Sequence, residues 1–351
     1  MTEFTNAWLQ FLTTHGAQID DTGTPQVLGF EEPPASNEPE RSFVSPLTDL
    51  GLIAATGDEA AHFLHNQLTN DVEHLGLGEA RLAGYCSPKG RLLANFLMWK
   101  TGDAIMLQLP RQIQAAVQKR LQMFVLRAKV KLNDATDNYV NLGLGGDAAA
   151  GALTKWFPTV PGAPYAKVDN EAGSLIRLAD AFGAPRFQWI TSVAIAEQAW
   201  PELIKTLKPA GTHVWRLTDI HAGVPQITQP TQEQFVPQMV NYELINGVNF
   251  KKGCYPGQEI VARSQYLGKQ KRRMLIASID TSDVKPGMEI FSSADPEQPC
   301  GMVVNAEPNS RCGVDCLVEV KLAATEEGTV HLGSASGPLL AFGVLPYPLP
   351  A

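Results

Sequence analysis

The chain has no uninterrupted apolar run that approaches the length a bilayer-crossing helix requires, so a membrane-embedded protein is not expected. Cysteine is scarce: Cys86, Cys254, Cys300, Cys312 and Cys316 are odd in number and widely scattered, which excludes the disulfide framework of a small secreted domain. Cys312 and Cys316 stand three residues apart rather than two, and no histidine or further cysteine flanks them at ligand spacing. A zinc or iron–sulfur centre held by this chain is therefore not expected. The first residues, Met1-Thr-Glu-Phe-Thr-Asn-Ala-Trp8, have neither the basic and apolar regions of a secretion signal nor the arginine-rich character of a mitochondrial one. A cytoplasmic location is the expectation. Positive charge is also in short supply. A net charge of −8 argues against broad or stable binding of nucleic acid.

What is present is enough material for a folded protein of two or three domains: 351 residues, 44% hydrophobic and 18% charged. Residues 3–16 place Phe4, Trp8, Leu9, Phe11 and Leu12 at near-helical spacing, with Gly16 as a stop. Residues 31–40 read as a proline-rich acidic linker. Strand material from Phe43 to Ala55 precedes a helix that Gly57-Asp58 should cap. This helix is expected to run through Phe63, Leu64 and Leu68 to a stop at Thr69-Asn70-Asp71. Residues 80–99 alternate around Ser87-Pro-Lys-Gly90 as a hairpin, followed by a strand near Ile105–Leu109. Residues 110–125 form an amphipathic helix with Ile113, Val117, Leu121 and Phe124 on one side.

Val140-Asn-Leu-Gly-Leu-Gly-Gly-Asp147 resembles a dinucleotide fingerprint, but no βαβ unit encloses it. A strand followed by a helix with Asp147 as N-cap explains it better. A further helix is expected over Ser192–Leu207, closed by Lys208-Pro-Ala-Gly211. From Arg272 onward, short β runs separated by Gly, Pro, Asn and Asp suggest a small antiparallel barrel or sandwich. Strands mixed with single helices, without strict alternation, indicate an α+β fold.

The most informative stretch is Phe250-Lys-Lys-Gly-Cys-Tyr-Pro-Gly-Gln-Glu-Ile-Val-Ala-Arg263. Cys254 sits between a lysine pair and a Pro-Gly turn, just before a segment able to start a helix. Lys251, Lys252 and a nearby helix N-terminus would favour thiolate. Spacing alone leaves two readings open, a reactive or ligand-touching thiol and a small half-buried loop residue. From Lys251 to Arg273 there are seven basic residues and one acid, Glu259; this is either an anion-binding patch or a solvated face. His62, His65 and His74 read as ordinary exposed histidines on or near one helix, and His213 and His221 flank Asp219 with no nucleophile elbow nearby.

Lys252-Gly253-Cys254-Tyr255-x-Gly257-Gln258-Glu259, followed by Val261-Ala262-Arg263, resembles the signature of the YgfZ family of folate-binding proteins. These are relatives of the glycine-cleavage T-protein, an aminomethyltransferase, and are implicated in iron–sulfur protein maintenance and tRNA modification. The resemblance extends to Asp219-Ile-x-Ala-Gly223-x-Pro225, Phe235-Val-Pro-Gln-Met-x-Asn241, Leu52-Ile-x-x-x-Gly57, Phe63-Leu64 and Gln67-Leu-Thr-Asn-Asp-Val72, and covers roughly residues 40–345.

It implies a three-domain T-protein-like architecture, two α/β-sandwich subdomains and a C-terminal antiparallel β-barrel, around a central folate pocket. The expected divisions are 1–42 (helix and linker), 43–138 (completed by part of 212–267), 139–267 (carrying the cysteine loop) and 268–351 (barrel). It further implies a tetrahydrofolate or related reduced folate as ligand, with iron–sulfur client or assembly proteins as partners. Asn70, Asp71, Asn95, Gln238, Asn241, Lys252, Tyr255 and Arg263 would then line the site, with Cys254 as the functional thiol. The alternative is a tetrahydrofolate-dependent aminomethyltransferase. Where T-protein carries an acidic pair after Lys89-Gly90-Arg-Leu-Leu93, however, this chain has Ala94-Asn95, which offers no carboxylate base.

Overall fold

The computed structural model describes residues 3–31, 42–102, 104–266 and 270–350. The linker expected over 31–40 lies almost wholly outside the described residues, as do the boundary at Gly268 and the side chain of Phe4. The chain divides into two compact units. One comprises Met1–Ala61, His74–Arg81 and Leu97–Arg216; the other comprises His62–Glu73, Leu82–Phe96 and Leu217–Ala351.

The first unit opens with α1 (Glu3–Thr14), a hairpin of β1 (Ala17–Asp20) and β2 (Gln26–Phe30), and then β3 (Ser42–Pro46) and β4 (Leu50–Thr56). Gly16 does end α1, at φ +85. Next along the chain come α2 (Ala60–His65) and β5 (Ala80–Cys86), most of whose residues belong to the second unit, β6 (Leu92–Thr101), which enters the first unit at Leu97, and then β7 (Ala104–Pro110), α3 (Arg111–Gln122) and β8 (Lys131–Asp134). A sheet of order β5-β6-β7-β4-β8 contains the predicted hairpin and third strand. On α3, Ile113, Val117 and Leu121 are buried as expected, but Phe124 falls beyond the helix and is exposed. Gln114 is buried in its place and bridges the Leu52 carbonyl and the Thr136 hydroxyl. The α2 helix stops at His65, one turn before the predicted stop, and Leu68 instead bridges to Tyr85 in sheet fashion.

The remaining strands of this unit are β9 (Val140–Gly146), β10 (Lys167–Asn170), β11 (Gly173–Ala181), β12 (Ala184–Thr191) and β13 (Lys208–Pro209), with helices α4 (Ala149–Leu153) and α5 (Val193–Leu203) and the first half of α6 (Thr212–His221), which passes into the second unit at Leu217. Their sheet runs β10-β11-β12-β9-β3-β13 and is antiparallel except where β13 meets β3. The β11–β12 hairpin turns on Phe182 and Gly183, both at positive φ, the backbone twist a tight hairpin favours.

The glycines of β9 make room for aromatic rings. A β-carbon on Gly143 would come within 2.7 Å of a Trp215 ring atom, and one on Gly145 within 2.5 Å of Phe43. This is a packing role, in keeping with the rejection of a dinucleotide site. Asp147 is not the N-cap of α4: Ala148 occupies that position, and its N–H is bonded by the Ser42 hydroxyl. Ser192 does cap α5, accepting from the Ile195 N–H, but Lys208-Pro209 forms a strand rather than a helix stop. The core gathers Leu142, Leu144, Leu175, Trp189 and Trp200, with Trp8 of α1 edge-on to Trp200 at 6.0 Å. Truncating either buried tryptophan to alanine is expected to remove about 3–5 kcal/mol.

In the second unit α7 (Gln258–Tyr266) leads towards β14 (Arg272–Ile279), β15 (Glu289–Ser292), β16 (Asp295–Pro308), β17 (Val314–Lys321), α8 (Leu322–Glu327), β18 (Val330–Leu332) and β19 (Leu340–Phe342). These strands form one antiparallel sheet of order β18-β15-β16-β17-β14-β19, and a single bridge from His331 to Leu339 brings its two ends together. The result is a nearly closed six-stranded barrel around Ile290, Val303, Cys316, Val318 and Val320. The 14-residue β16 can bend round it because bulges interrupt its register with both neighbours.

Candidate functional site

The segment that leads into the cysteine loop is tied down by side chains from Thr69 and Asn70. The Thr69 hydroxyl donates to the Gly247 carbonyl at 2.6 Å and accepts from the Gly84 N–H at 2.7 Å. The Asn70 amide donates to the carbonyls of Leu82 and Asn246, both at 2.7 Å, and its oxygen accepts from the Asp71 N–H. Asn70 is thus a buried clip between β5 and the turn-and-coil run before Phe250.

Within the loop, Lys252 reaches back to the end of α2. Its ammonium donates to the Leu68 carbonyl at 2.9 Å and to the His65 carbonyl, the second a group that a helix end leaves without an intrahelical partner. It also lies 4.8 Å from the centre of the Tyr255 ring, a cation–π arrangement. Burial pushes the Lys252 amine down to about 8, with Asp71, Cys254 and Glu73 acting in the opposite sense. Tyr255 is buried, and burial raises its phenol well above the ordinary range. Cys254 itself is exposed.

Behind the loop stands a chain of polar groups that sequence reasoning missed. His65, expected to be exposed, is buried, and its Nδ1 lies 3.1 Å from Asp71 and 3.9 Å from Glu73. Glu73 in turn meets His62 at 2.7 Å, and the hydrogen bond from His62 lowers its carboxyl below the usual range. A β-carbon on Gly253 would come within 3.7 Å of His65 Nε2, so the residue before Cys254 passes beside the imidazole. The only sequence signal was the cluster His62, His65, Asp71 and Glu73 within twelve residues.

The start of α7 is fixed from below. Gly257 takes φ +80 and packs on the Ser87–Gly90 turn, and Tyr255 accepts from the Gln258 N–H. Glu259 lies in the first turn of α7, where the helix dipole favours a negative charge. Arg263 is exposed further along α7.

The other expected site residues are committed to the backbone. The Asn95 amide donates to the Pro225 carbonyl at 2.7 Å, and its oxygen accepts from the Ile227 N–H at 2.8 Å. The Gln238 amide donates to the Val261 carbonyl at 2.8 Å, while its buried oxygen has no hydrogen-bond partner among the described residues. Asn241, at φ +55, donates to the Met274 carbonyl at 2.7 Å. The structure therefore gathers Asn70, Asp71, Lys252, Cys254 and Tyr255. Asn95, Gln238 and Asn241 serve as braces in the same unit. His221 pairs with Asp315 at 2.7 Å. Among the described residues, no group of three or more His, Cys, Asp or Glu is placed to hold a metal ion, and no helix is long and apolar enough to cross a membrane.

No family model matches the chain. It is 34% identical over 253 residues to the tRNA-modifying protein YgfZ of Photorhabdus laumondii, covering 70% of this chain and 75% of that protein. Against the tRNA-modifying protein YgfZ of Cronobacter sakazakii the identity is 32% over 262 residues, covering 74% and 78%. Among solved structures, the glycine cleavage system aminomethyltransferase T of Bartonella henselae superposes with a TM-score of 0.75 at 16% identity over 96% of each chain. That likeness is one of fold, and it bears out the expected T-protein-like α+β architecture. The sequence likeness goes further, and by it the chain belongs to the family of the tRNA-modifying protein YgfZ.

Proposed function

We propose that the chain is a tetrahydrofolate-binding accessory protein that supports the assembly or repair of iron–sulfur clusters in client enzymes, tRNA-modifying enzymes among them, with Cys254 as its working thiol. The observation that carries this reading is the exposed Cys254 sulfur on a loop held by Lys252, Tyr255 and Gly257. A thiol on a fixed turn meets a partner in one geometry, whereas a thiol on a loose loop must first be ordered. The names of the YgfZ relatives, tRNA-modifying proteins, support the part of this reading that concerns tRNA modification.

A reduced folate needs polar groups for the pterin edge and cations for its glutamate tail. Asp71 supplies an acceptor beside the loop, Lys252 a half-buried cation and Arg263 an exposed one. Asn70, Asn95, Gln238 and Asn241 act in this reading by shaping the wall, since their amide N–H groups already serve backbone carbonyls.

The test is anaerobic calorimetry of tetrahydrofolate with the wild type and Cys254→Ser, alongside iron–sulfur enzyme activity in a strain lacking the protein. Saturable binding to both proteins, with rescue by the wild type alone, is expected. Absence of binding to either removes the folate, and full rescue by Cys254→Ser removes the thiol.

A second reading, tetrahydrofolate-dependent aminomethyl transfer, draws on the T-protein likeness. Against it, Ala94 is buried and Asn95 has both ends of its amide engaged, which leaves no carboxylate at the position that chemistry needs. Turnover of an aminomethylated carrier protein with tetrahydrofolate would restore it.

A further inference from the structure

The first unit carries a surface that is independent of the cysteine loop. From Ala104 to Asn133 the sequence holds no Asp or Glu but six Lys or Arg, in a chain whose net charge is −8. Arg111 pairs with Asp137. Among the described residues, no carboxylate makes an ion pair with the other five, Lys119, Arg120, Arg127, Lys129 and Lys131. Glu59, from the turn after β4, accepts from the Lys129 N–H at 2.7 Å, so this acid braces the backbone. Even with Asp58 and Glu59 of that turn counted, five cations stand against two acids.

The same stretch leaves large apolar side chains in water. α3 ends at Gln122, and in the turn that follows Met123, Phe124 and Leu126 are 61%, 46% and 88% exposed. The turn is nonetheless well tied. The N–H groups of Met123, Phe124, Val125, Ala128 and Val130 all find local carbonyls, and the amides of Gln118 and Gln122 both donate to the Leu132 carbonyl at 3.0 Å. Leu126 holds φ +47, a left-handed backbone that a leucine disfavours. Packing within the chain does not repay that strain, which points to a contact outside it.

We propose that this turn docks on an anionic phospholipid surface. Met123, Phe124 and Leu126 enter the boundary of the acyl chains, and Lys119, one helical turn before Met123, joins Arg127, Lys129 and Lys131 in meeting the lipid phosphates. A charge excess of one sign suits a polyanion better than a protein face, where lysine is depleted. The apolar side chains then decide between polyanions. A nucleic acid offers Phe124 a base to stack on but leaves Met123 and Leu126 in water. A bilayer accepts all three and needs no groove shaped to the turn. The negative charge on the rest of the chain opposes approach, but it is screened beyond about 8 Å at physiological ionic strength, while the cations meet the phosphates at contact. This is attachment to a surface, since no described helix is long and apolar enough to cross a membrane.

The experiment is co-sedimentation of the full chain with vesicles of phosphatidylcholine alone and of phosphatidylcholine mixed with phosphatidylglycerol, beside a titration with bulk tRNA. It is repeated on two double variants, Phe124→Ser with Leu126→Ser and Arg127→Gln with Lys129→Gln. In parallel, lysine acetylation of the wild type is mapped by mass spectrometry with and without vesicles, which requires no variant to fold. The wild type should partition onto the anionic vesicles at least about tenfold more strongly than onto the neutral ones, and each double variant should lose about tenfold or more. The anionic vesicles should also protect Lys119, Lys129 and Lys131 from acetylation. Absence of binding to the anionic vesicles, equal binding to neutral ones, or undiminished binding by the Phe124→Ser, Leu126→Ser variant would each overturn the proposal. So would lysines that vesicles leave unprotected, the outcome for a protein partner, or lysines that tRNA protects instead, the outcome for a nucleic-acid surface.

Discussion

Gly257 rests against Gly90 so closely that a β-carbon on Gly257 would lie 2.6 Å from the Gly90 Cα, and one on Gly90 would lie 2.8 Å from the Ile260 Cβ. Both glycines hold positive φ, +80 and +71. The Ser87-Pro-Lys-Gly90 turn and the cysteine motif, more than 160 residues apart in sequence, are therefore one piece of structure.

Gly257→Ala is expected to lose about 3 kcal/mol or more, because the left-handed conformation and a collision with backbone act together. Gly183→Ala is the control: it has φ +74 but nothing within 4 Å of an added β-carbon, and should lose only about 1–2 kcal/mol. Urea unfolding of both variants measures the difference. Equal losses would mean that the close approach of the two turns does not constrain the loop.

Thiol titration tests the exposure pattern. Cys254 and Cys312 are exposed, while Cys86, Cys300 and Cys316 are buried; burial pushes Cys86 and Cys316 up to about 12, where the nucleophilic thiolate is rare at neutral pH. The native protein should therefore show two fast thiols with an aromatic disulfide reagent and five after denaturation. Cys254→Ser should leave one fast thiol. A third fast thiol in the native wild type would contradict the burial of the others.

The helix start after Pro256-Gly257 and the 87–90 turn were legible in the sequence because Pro and Gly impose local geometry that needs no distant partner. The β-barrel was legible for a similar reason, through the spacing of its turns. The partners of the polar side chains were not. Asn95 finds Pro225 and Ile227 130 and 132 residues away, and Lys252 finds carbonyls 184 and 187 residues back. No local pattern encodes such pairings. The end of α2 was misplaced for a related cause: Leu68 continues the helical periodicity, but Thr69 is taken up by Gly84 and Gly247, and these tertiary bonds override local propensity.

Asp315 should make the barrel sensitive to acid. Burial pushes its carboxyl up, but hydrogen bonds from His221, Ser278 and Asn309 outweigh burial and hold it down at about 2, below the ordinary 3.8. A depressed carboxyl contributes stability that is fully present above 3.8 and is lost as pH falls through 2, about 2 kcal/mol in all. Urea midpoints of the wild type and Asp315→Asn should differ by a constant amount near neutrality and converge across that window. Midpoints that stay equally far apart down to the lowest pH would show that the hydrogen bonds do not favour the charged form.

Lys252 gives the opposite end of the pH scale a signature. Burial lowers its amine from 10.5 to about 8, so between those values the unfolded chain holds a proton that the folded chain has released. Stability should then rise with pH across the window, be fully present above 10.5 and be lost as pH falls through 8. The slope is bounded by about 1.4 kcal/mol per pH unit and should fall short of it, because the side chain is only half-buried. The neutral amine still donates to the Leu68 and His65 carbonyls, so the loop need not open when the charge is lost. Lys252→Met removes both the titration and the donors. Its urea midpoints, set against the wild type from pH 7 to 10, should fall progressively further behind as pH rises. Parallel curves would mean that the ammonium is as well solvated in the folded protein as in the unfolded one, and coincident curves would mean in addition that Lys252 does not pin the loop that carries Cys254.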